Sequence, residues 1–186
     1  STQGVSSAAS DVYKRQEMGE RTIFNILGPL TNPANASRQL LGVYDKELVE
    51  KLAEVLANLG VTRGMSVCGS DGLDEITVTG PTYCCEIKDG ELTSYEITPE
   101  QFGLSTYPLA ELVGGTPEEN AQITKDILSG TLKGAKRDVV LMNAGIGIYL
   151  GSENLTMEEG IKKAEELINS GKAYEKMEEF VKATQQ

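Results

Sequence analysis

The 186-residue chain contains no histidine and no tryptophan. Histidine is the commonest general acid or base near neutral pH and a frequent metal ligand, so any chemistry of this chain proceeds without an imidazole. No run of apolar residues is long enough to cross a bilayer. No segment has the basic start, apolar centre and small-residue end of a secretory signal. These absences predict a cytoplasmic protein with no membrane partner.

Cysteine is scarce as well, with Cys68, Cys84 and Cys85 as the complete set. Three thiols, two of them adjacent, form neither a disulfide framework nor a cysteine-based metal site. We therefore predict buried, reduced thiols in a reducing compartment.

Basic residues are outnumbered by acidic ones, 17 to 28, which gives a net charge of −11. Such a surface repels the phosphate backbone of nucleic acids. Short basic clusters do not reverse this balance, so the sequence predicts no nucleic-acid partner.

The organisation of the chain changes near residue 17. Residues 1–16, rich in Ser and Ala and without an apolar period, predict a disordered or non-native leader. Residues 17–186 predict one α/β domain. An apolar strand at 38–44, a helix that Asp45 caps and a second strand at 64–68 form the strand–helix–strand unit of a parallel sheet. A hairpin follows, in which Asp89-Gly90 joins strands at 82–88 and 92–97.

Several later segments predict helices. The series that begin at Thr98, Thr116 and Thr156 are typical of capping boxes. Residues 137–150 are ambiguous, because their valines favour a strand whereas their length favours a buried helix; we predict the helix. A final polar helix is predicted to turn its apolar residues inward, namely Met177, Phe180 and Val181.

Asp74 and Glu75 are the strongest candidates for chemistry. They follow a predicted parallel strand, and ligands of α/β sheets collect at the carboxyl ends of such strands. Adjacent carboxylates suit Mg²⁺, which prefers oxygen ligands and bridges substrate phosphates. From spacing alone, ordinary surface acids remain the alternative. The turn at 69–72 could approach a phosphate through its backbone, although a plain tight turn is the simpler interpretation. Asn143, inside an apolar helix, requires a hydrogen-bond partner.

Six sequence blocks resemble the anthranilate phosphoribosyltransferases in order and spacing, and the resemblance extends over about residues 17–183. The blocks are RTIFNILGPLTNPA at 21–34, QLLGVYDKELVEKLAEVLANLG at 39–60, GSDGLDEIT at 69–77, ITPEQFGL at 97–104, GGTPEENA at 114–121 and RDVVLMNAGIGIYL at 137–150. In the first block, Gly28-Pro29 predicts the end of a helix.

The resemblance implies a Mg²⁺-dependent transfer of a phosphoribosyl group from phosphoribosyl pyrophosphate to anthranilate, in tryptophan biosynthesis. By the same resemblance, Asp74 and Glu75 bind the Mg²⁺, and Arg15 occupies the position of an anthranilate-contacting arginine. The family is commonly homodimeric. Its helical domain and glycine-rich phosphate loop have no counterpart in these 186 residues, so we expect the C-terminal part of a mixed, mostly parallel α/β sheet that is inactive alone.

Two other functions stay open at this point. A nucleoside phosphorylase-like enzyme would share the fold and use free phosphate. A non-catalytic binding member of the same superfamily would be expected to show a basic face, against which the net charge argues.

Overall fold

The computed structural model describes residues 28–31 and 35–185, which belong to two units divided after residue 34. In the first unit, residues 28–30 are helical and Thr31 forms a turn whose N–H donates to the carbonyl oxygen of Gly28 at 3.4 Å. The predicted helix end at Gly28-Pro29 is therefore wrong, since both residues are themselves helical. Proline fixes φ at about −65°, which a helical residue adopts, so the helix continues through Pro29 and ends at Leu30. The predicted leader at 1–16 lies outside the described residues.

The second unit contains a four-stranded mixed sheet in the order β1-β2-β3-β4. Strands β1 (Arg38–Gly42) and β2 (Arg63–Gly69) are parallel, and helix α1 (Lys46–Asn58) connects them. Strand β3 (Thr82–Lys88) runs antiparallel to both β2 and β4 (Glu91–Ile97). The predicted α/β class with a mixed sheet is confirmed, but two of the three described strand pairings are antiparallel, so the described sheet is not mostly parallel. Among the described strands the parallel pair is the one joined through a helix, because parallel neighbours need a crossover whereas a hairpin gives antiparallel ones.

Local signals explain the boundaries of these elements. The Asp45 carboxylate accepts the Glu47 N–H at 2.9 Å and caps α1. Asp89 and Gly90 both have positive φ angles, 53° and 84°, as a two-residue hairpin turn of type I′ requires. Both features were predicted from the sequence.

Four helices follow the sheet: α2 (Pro117–Leu128), α3 (Ala135–Gly151), α4 (Met157–Asn169) and α5 (Lys172–Thr184), preceded by short 3₁₀ turns at Pro99–Phe102 and Leu109–Glu111. Thr116 and Thr156 open α2 and α4 with reciprocal capping boxes, as predicted. A third box, at Thr98, opens the first 3₁₀ turn.

The ambiguous segment at 137–150 is helical, as predicted, and forms most of α3. Its Met142 and Ile146 are completely buried in one cluster with Met65 and Val67 of β2. Because side chains alternate along a strand, Ser66 points to the opposite face, where α1 packs. The sheet is thus covered by α1 on one face and α3 on the other.

The apolar residues of α5 do not turn inward as predicted. Phe180 is 67% exposed and Val181 44% exposed, and only Met177 of the three is half-buried. No residue of α5 is fully buried. The spacing of apolar residues predicted a helical face but not the presence of a neighbour to cover it.

Helices α3 and α4 cross at two glycines. A Cβ on Gly145 would overlap the backbone of Ile161, and a Cβ on Gly160 would overlap the carbonyl oxygen of Gly145. Both glycines are buried. The backbones therefore approach more closely than any side chain permits.

We expect Gly160→Ala to lower the free energy of unfolding by about 1–3 kcal/mol, because the added methyl group overpacks the crossing. Urea unfolding monitored by circular dichroism measures this change. Gly147→Ala is the matched control on α3: its Cβ meets nothing within 4 Å, and it should stabilise the helix by about 0.5–1 kcal/mol. Equal effects of the two substitutions would contradict the close crossing.

Candidate functional site

The loop at residues 70–81 leaves the carboxyl end of β2 and lies across the carboxyl end of β1. Its position is set by Gly42, the last residue of β1, because a Cβ there would overlap the carbonyl group of Asp74. The structure therefore places Asp74 and Glu75 at the carboxyl ends of the two parallel strands. Ligands of α/β sheets bind at this edge.

The Asp71 carboxylate holds the loop together through hydrogen bonds from three of its residues. Its Oδ2 accepts the hydroxyls of Thr77 and Thr79 at 2.6 and 2.5 Å, and its Oδ1 accepts the Leu73 N–H at 3.0 Å. Burial acts to raise the pKa of Asp71, but these hydrogen bonds together outweigh it and lower the pKa. Asp71 is therefore an ionised structural residue whose oxygens are already engaged.

Helix α3 holds the other side of the loop through Asn143. The amide oxygen of Asn143 accepts the N–H of Ile76 at 3.0 Å, and its amide nitrogen donates to the carbonyl oxygen of Ile76 at 2.7 Å. A further bond to the carbonyl oxygen of Val139, at 2.9 Å, fixes the amide. The hydrogen-bond partner that the sequence required for Asn143 is thus the backbone directly after Glu75.

The carboxylates of Asp74 and Glu75 form no hydrogen bond or ion pair with the part of the chain that the structure describes. Both residues are exposed overall. Partial burial of the Glu75 carboxyl, followed by the negative charges of Asp74 and Asp71, raises the pKa of Glu75. The pair is a concentration of negative charge with which no basic side chain of residues 28–31 and 35–185 pairs.

These residues fit a magnesium ion that is held partly by other molecules. Residues 28–31 and 35–185 contain no group of three or more His, Cys, Asp or Glu side chains arranged to hold a metal. Mg²⁺ in proteins commonly takes one or two carboxylates and completes its shell with waters and substrate phosphates. Asp74 and Glu75 can supply those carboxylates, while the oxygens of Asp71 are engaged elsewhere.

A cleft of about 260 Å³ opens beside Glu75. Its walls include Leu112 and Ile123, and its polar lining includes Asn120 and Lys136. Lys136 donates to the carbonyl oxygen of Glu111 at 2.5 Å and forms no ion pair with Glu75 among the described residues. Lys136 therefore does not form an ion pair with the acidic residues.

The other sequence candidates have simpler roles. Cys68, Cys84 and Cys85 are buried, as predicted, and form no disulfide among the described residues. Burial raises the pKa of Cys84 to about 12, which makes that thiol unreactive. The turn at 69–72 is closed by its own hydrogen bonds, including Gly72 N–H to the carbonyl oxygen of Gly69 at 2.9 Å. Arg15 lies outside the described residues.

Sequence reasoning missed Gly42 and the threonines at 77 and 79. The two threonines carry a recognisable signal, since hydroxyls two residues apart after an acidic turn can converge on one carboxylate. Gly42 carries none, because its importance arises from a loop more than thirty residues away in the chain.

No described helix is long and apolar enough to cross a membrane.

Comparisons with known proteins give a consistent result. A family described as glycosyl transferase family, a/b domain, matches residues 2–174. The anthranilate phosphoribosyltransferase of Endomicrobium trichonymphae is 54% identical over 170 residues, which are 91% of this chain and 50% of that protein. The one of Methanobrevibacter smithii is 51% identical over 170 residues, with the same shares.

Solved structures agree with the sequence relatives. The crystal structure of anthranilate phosphoribosyltransferase from Thermus thermophilus matches with a TM-score of 0.80 and 42% identity, over 90% of this chain and 49% of that one. The Saccharomyces cerevisiae enzyme in complex with PRPP and Mg matches with a TM-score of 0.79 and 35% identity, over 90% of this chain and 48% of that one. The chain spans about half the length of the curated relatives it matches.

The raised pKa of Glu75 predicts a pH-dependent gain in stability for Glu75→Gln. A folded-state pKa above the ordinary value of 4.5 means that ionisation of Glu75 opposes folding. We expect Glu75→Gln to raise the free energy of unfolding at pH 7, and the gain to disappear as the pH falls below the ordinary value. Urea unfolding at several pH values measures this. Glu178→Gln, at an exposed position of α5, is the control. A gain for Glu75→Gln that is independent of pH would contradict the raised pKa of Glu75.

Proposed function

The chain belongs to the glycosyl transferase family, a/b domain, and on this basis we propose that it is the metal-binding half of an anthranilate phosphoribosyltransferase. The proposed reaction transfers a phosphoribosyl group from phosphoribosyl pyrophosphate to anthranilate. The bond between the ribose carbon and the pyrophosphate oxygen breaks, the amine nitrogen of anthranilate bonds to that carbon and loses a proton, and pyrophosphate departs. The names of the relatives support this assignment.

The observation that carries the proposal is the pair Asp74 and Glu75, whose carboxylates have no partner among the described residues, on a loop held by hydrogen bonds from Asp71 and Asn143. A magnesium ion, when bound, would neutralise negative charge that develops on the departing pyrophosphate. In this proposal, the chain presents two carboxylates in a fixed arrangement at the carboxyl ends of β1 and β2. Solved relatives in complex with PRPP and Mg, and with 4-fluoroanthranilate, support both the ion and the substrates.

The absence of histidine is compatible with this chemistry. The aromatic amine is a nucleophile without prior deprotonation, and the leaving group is stabilised by charge rather than by protonation. The site therefore needs carboxylates to hold a cation more than it needs a general base near neutral pH.

The remaining features of the proposal concern the whole protein. It works in the cytoplasm, forms a homodimer and binds no nucleic acid, in keeping with the net charge of −11. Arg15 contacts anthranilate. Phosphate-cradling residues are supplied by the other half of the enzyme, so the 186-residue chain alone is inactive.

We expect the chain alone to form no phosphoribosyl anthranilate, and a chimera with the N-terminal half of the Endomicrobium trichonymphae enzyme to form it in a Mg²⁺-dependent manner. Consumption of anthranilate, followed by its fluorescence, measures the activity. In the chimera, Asp74→Asn should lower kcat/KM by about 100-fold or more, because a cation at the leaving group contributes several kcal/mol. Glu178→Gln in the same chimera is the control.

Three results would contradict the proposal. Product formation by the purified chain alone would show that the half molecule is sufficient. Full activity of the Asp74→Asn chimera would remove the carboxylate from the chemistry. Phosphorolysis of a nucleoside by the chimera with inorganic phosphate, without turnover of anthranilate, would favour the phosphorylase-like alternative.

A further inference from the structure

We propose that Asn143 and Gly42 are positioning residues that hold the backbone of Asp74 and Glu75 so that the two carboxylates meet one divalent cation. This inference rests on the proposed function of the acidic pair. Neither residue contacts substrate or metal in the proposal; each acts through the loop.

Asn143 pairs with Ile76 as a neighbouring strand would. Its amide oxygen and nitrogen engage the N–H and the carbonyl oxygen of the same residue, at 3.0 and 2.7 Å. The second N–H of the amide donates to Val139 at 2.9 Å, so both donors of the amide are used and its orientation is fixed. The chain direction directly after Glu75 is therefore set by a rigid helix.

The need for this contact follows from burial. Ile76 is completely buried and packs in the core with Met142 and Ile146. Buried backbone groups require partners, and no described strand pairs with this segment. Asn143 supplies both partners from α3, although asparagine is a weaker helix former than the apolar residues around it.

Gly42 acts on the same loop from the sheet. The carbonyl group of Asp74 occupies the space that a side chain at position 42 would fill. The backbone of the acidic pair thus lies directly on β1 on one side, and the residue after it is tied to α3. Misplacement of a catalytic group by about 1 Å can cost roughly 100-fold in rate. We therefore expect loss of either restraint to displace the two carboxylates and weaken metal binding.

The chain contains a control for the loss of stability in Asn143→Ala. The hydroxyl of Thr156, which caps α4, accepts the Glu159 N–H at 3.2 Å. Thr156 belongs neither to the acidic loop nor to the lining of the cleft beside Glu75. Thr156→Ala removes a helix cap, which costs about 0.5–2 kcal/mol, without releasing Ile76.

The test titrates the purified chain with Mn²⁺ alone and follows free Mn²⁺ by electron paramagnetic resonance, together with amide hydrogen exchange at Ile76. For Asn143→Ala we expect the dissociation constant for Mn²⁺ to rise roughly 10-fold, as for other residues that orient metal ligands. The Ile76 amide should exchange about 10-fold faster, as loss of one hydrogen bond implies. Gly42→Ala should weaken Mn²⁺ binding without any change in α3, which keeps the test valid if Asn143→Ala fails to fold. Thr156→Ala should bind Mn²⁺ like the unaltered chain.

Each outcome decides the inference. Unchanged Mn²⁺ affinity in folded Asn143→Ala or Gly42→Ala would overturn it, as would an equal loss in Thr156→Ala, which would point to general destabilisation. If Asp74→Asn binds Mn²⁺ as tightly as the unaltered chain does, the acidic pair holds no metal. In that case the proposed function of the pair is wrong. Sensitivity to Asp74→Asn without sensitivity to Asn143→Ala or Gly42→Ala leaves the proposed function intact and overturns only the positioning role.

Discussion

The site depends on one constraint: the polar backbone of a partly buried loop must find hydrogen-bond partners. The loop between β2 and β3 meets this constraint with side chains rather than with a strand. Asp71 takes the Leu73 N–H and two threonine hydroxyls, and Asn143 takes both polar groups of Ile76. The alternative, unpaired polar groups in a buried segment, costs about 1–3 kcal/mol for each group. The geometry of the acidic pair is therefore a by-product of satisfying its neighbours.

The same loop separates two kinds of carboxylate within five residues. Asp71 is surrounded by donors that lower its pKa, whereas partial burial and then the neighbouring negative charges raise the pKa of Glu75. The hydrogen-bonded charge of Asp71 stabilises the fold, whereas the charge of Glu75 opposes folding. Carboxylates held in this way reduce the stability of the fold, a feature that is common at functional sites.

Much of the fold could be predicted because its signals are local. The cap at Asp45, the turn at Asp89-Gly90 and the boxes at Thr116 and Thr156 each act within four residues, and the structure has all of them. The prediction for Phe180 and Val181 failed because burial depends on what lies beside a helix. Gly42 could not be recognised, since its role arises from tertiary contact. Asp74 and Glu75 were recognised by position after a strand and by family resemblance, and their metal-binding role stays a prediction, as does the role of Arg15.

The closed hydrogen-bonding of the loop also affects the entropy of ligand binding. Fixing the backbone of one residue costs about 1–2 kcal/mol, and a flexible loop would meet that cost each time a donor molecule binds. Here the loop is ordered by contacts that form when the chain folds, through Asp71 inside and Asn143 outside. Folding thus bears the ordering cost once, and we expect binding at the acidic pair to proceed with little rearrangement of the backbone.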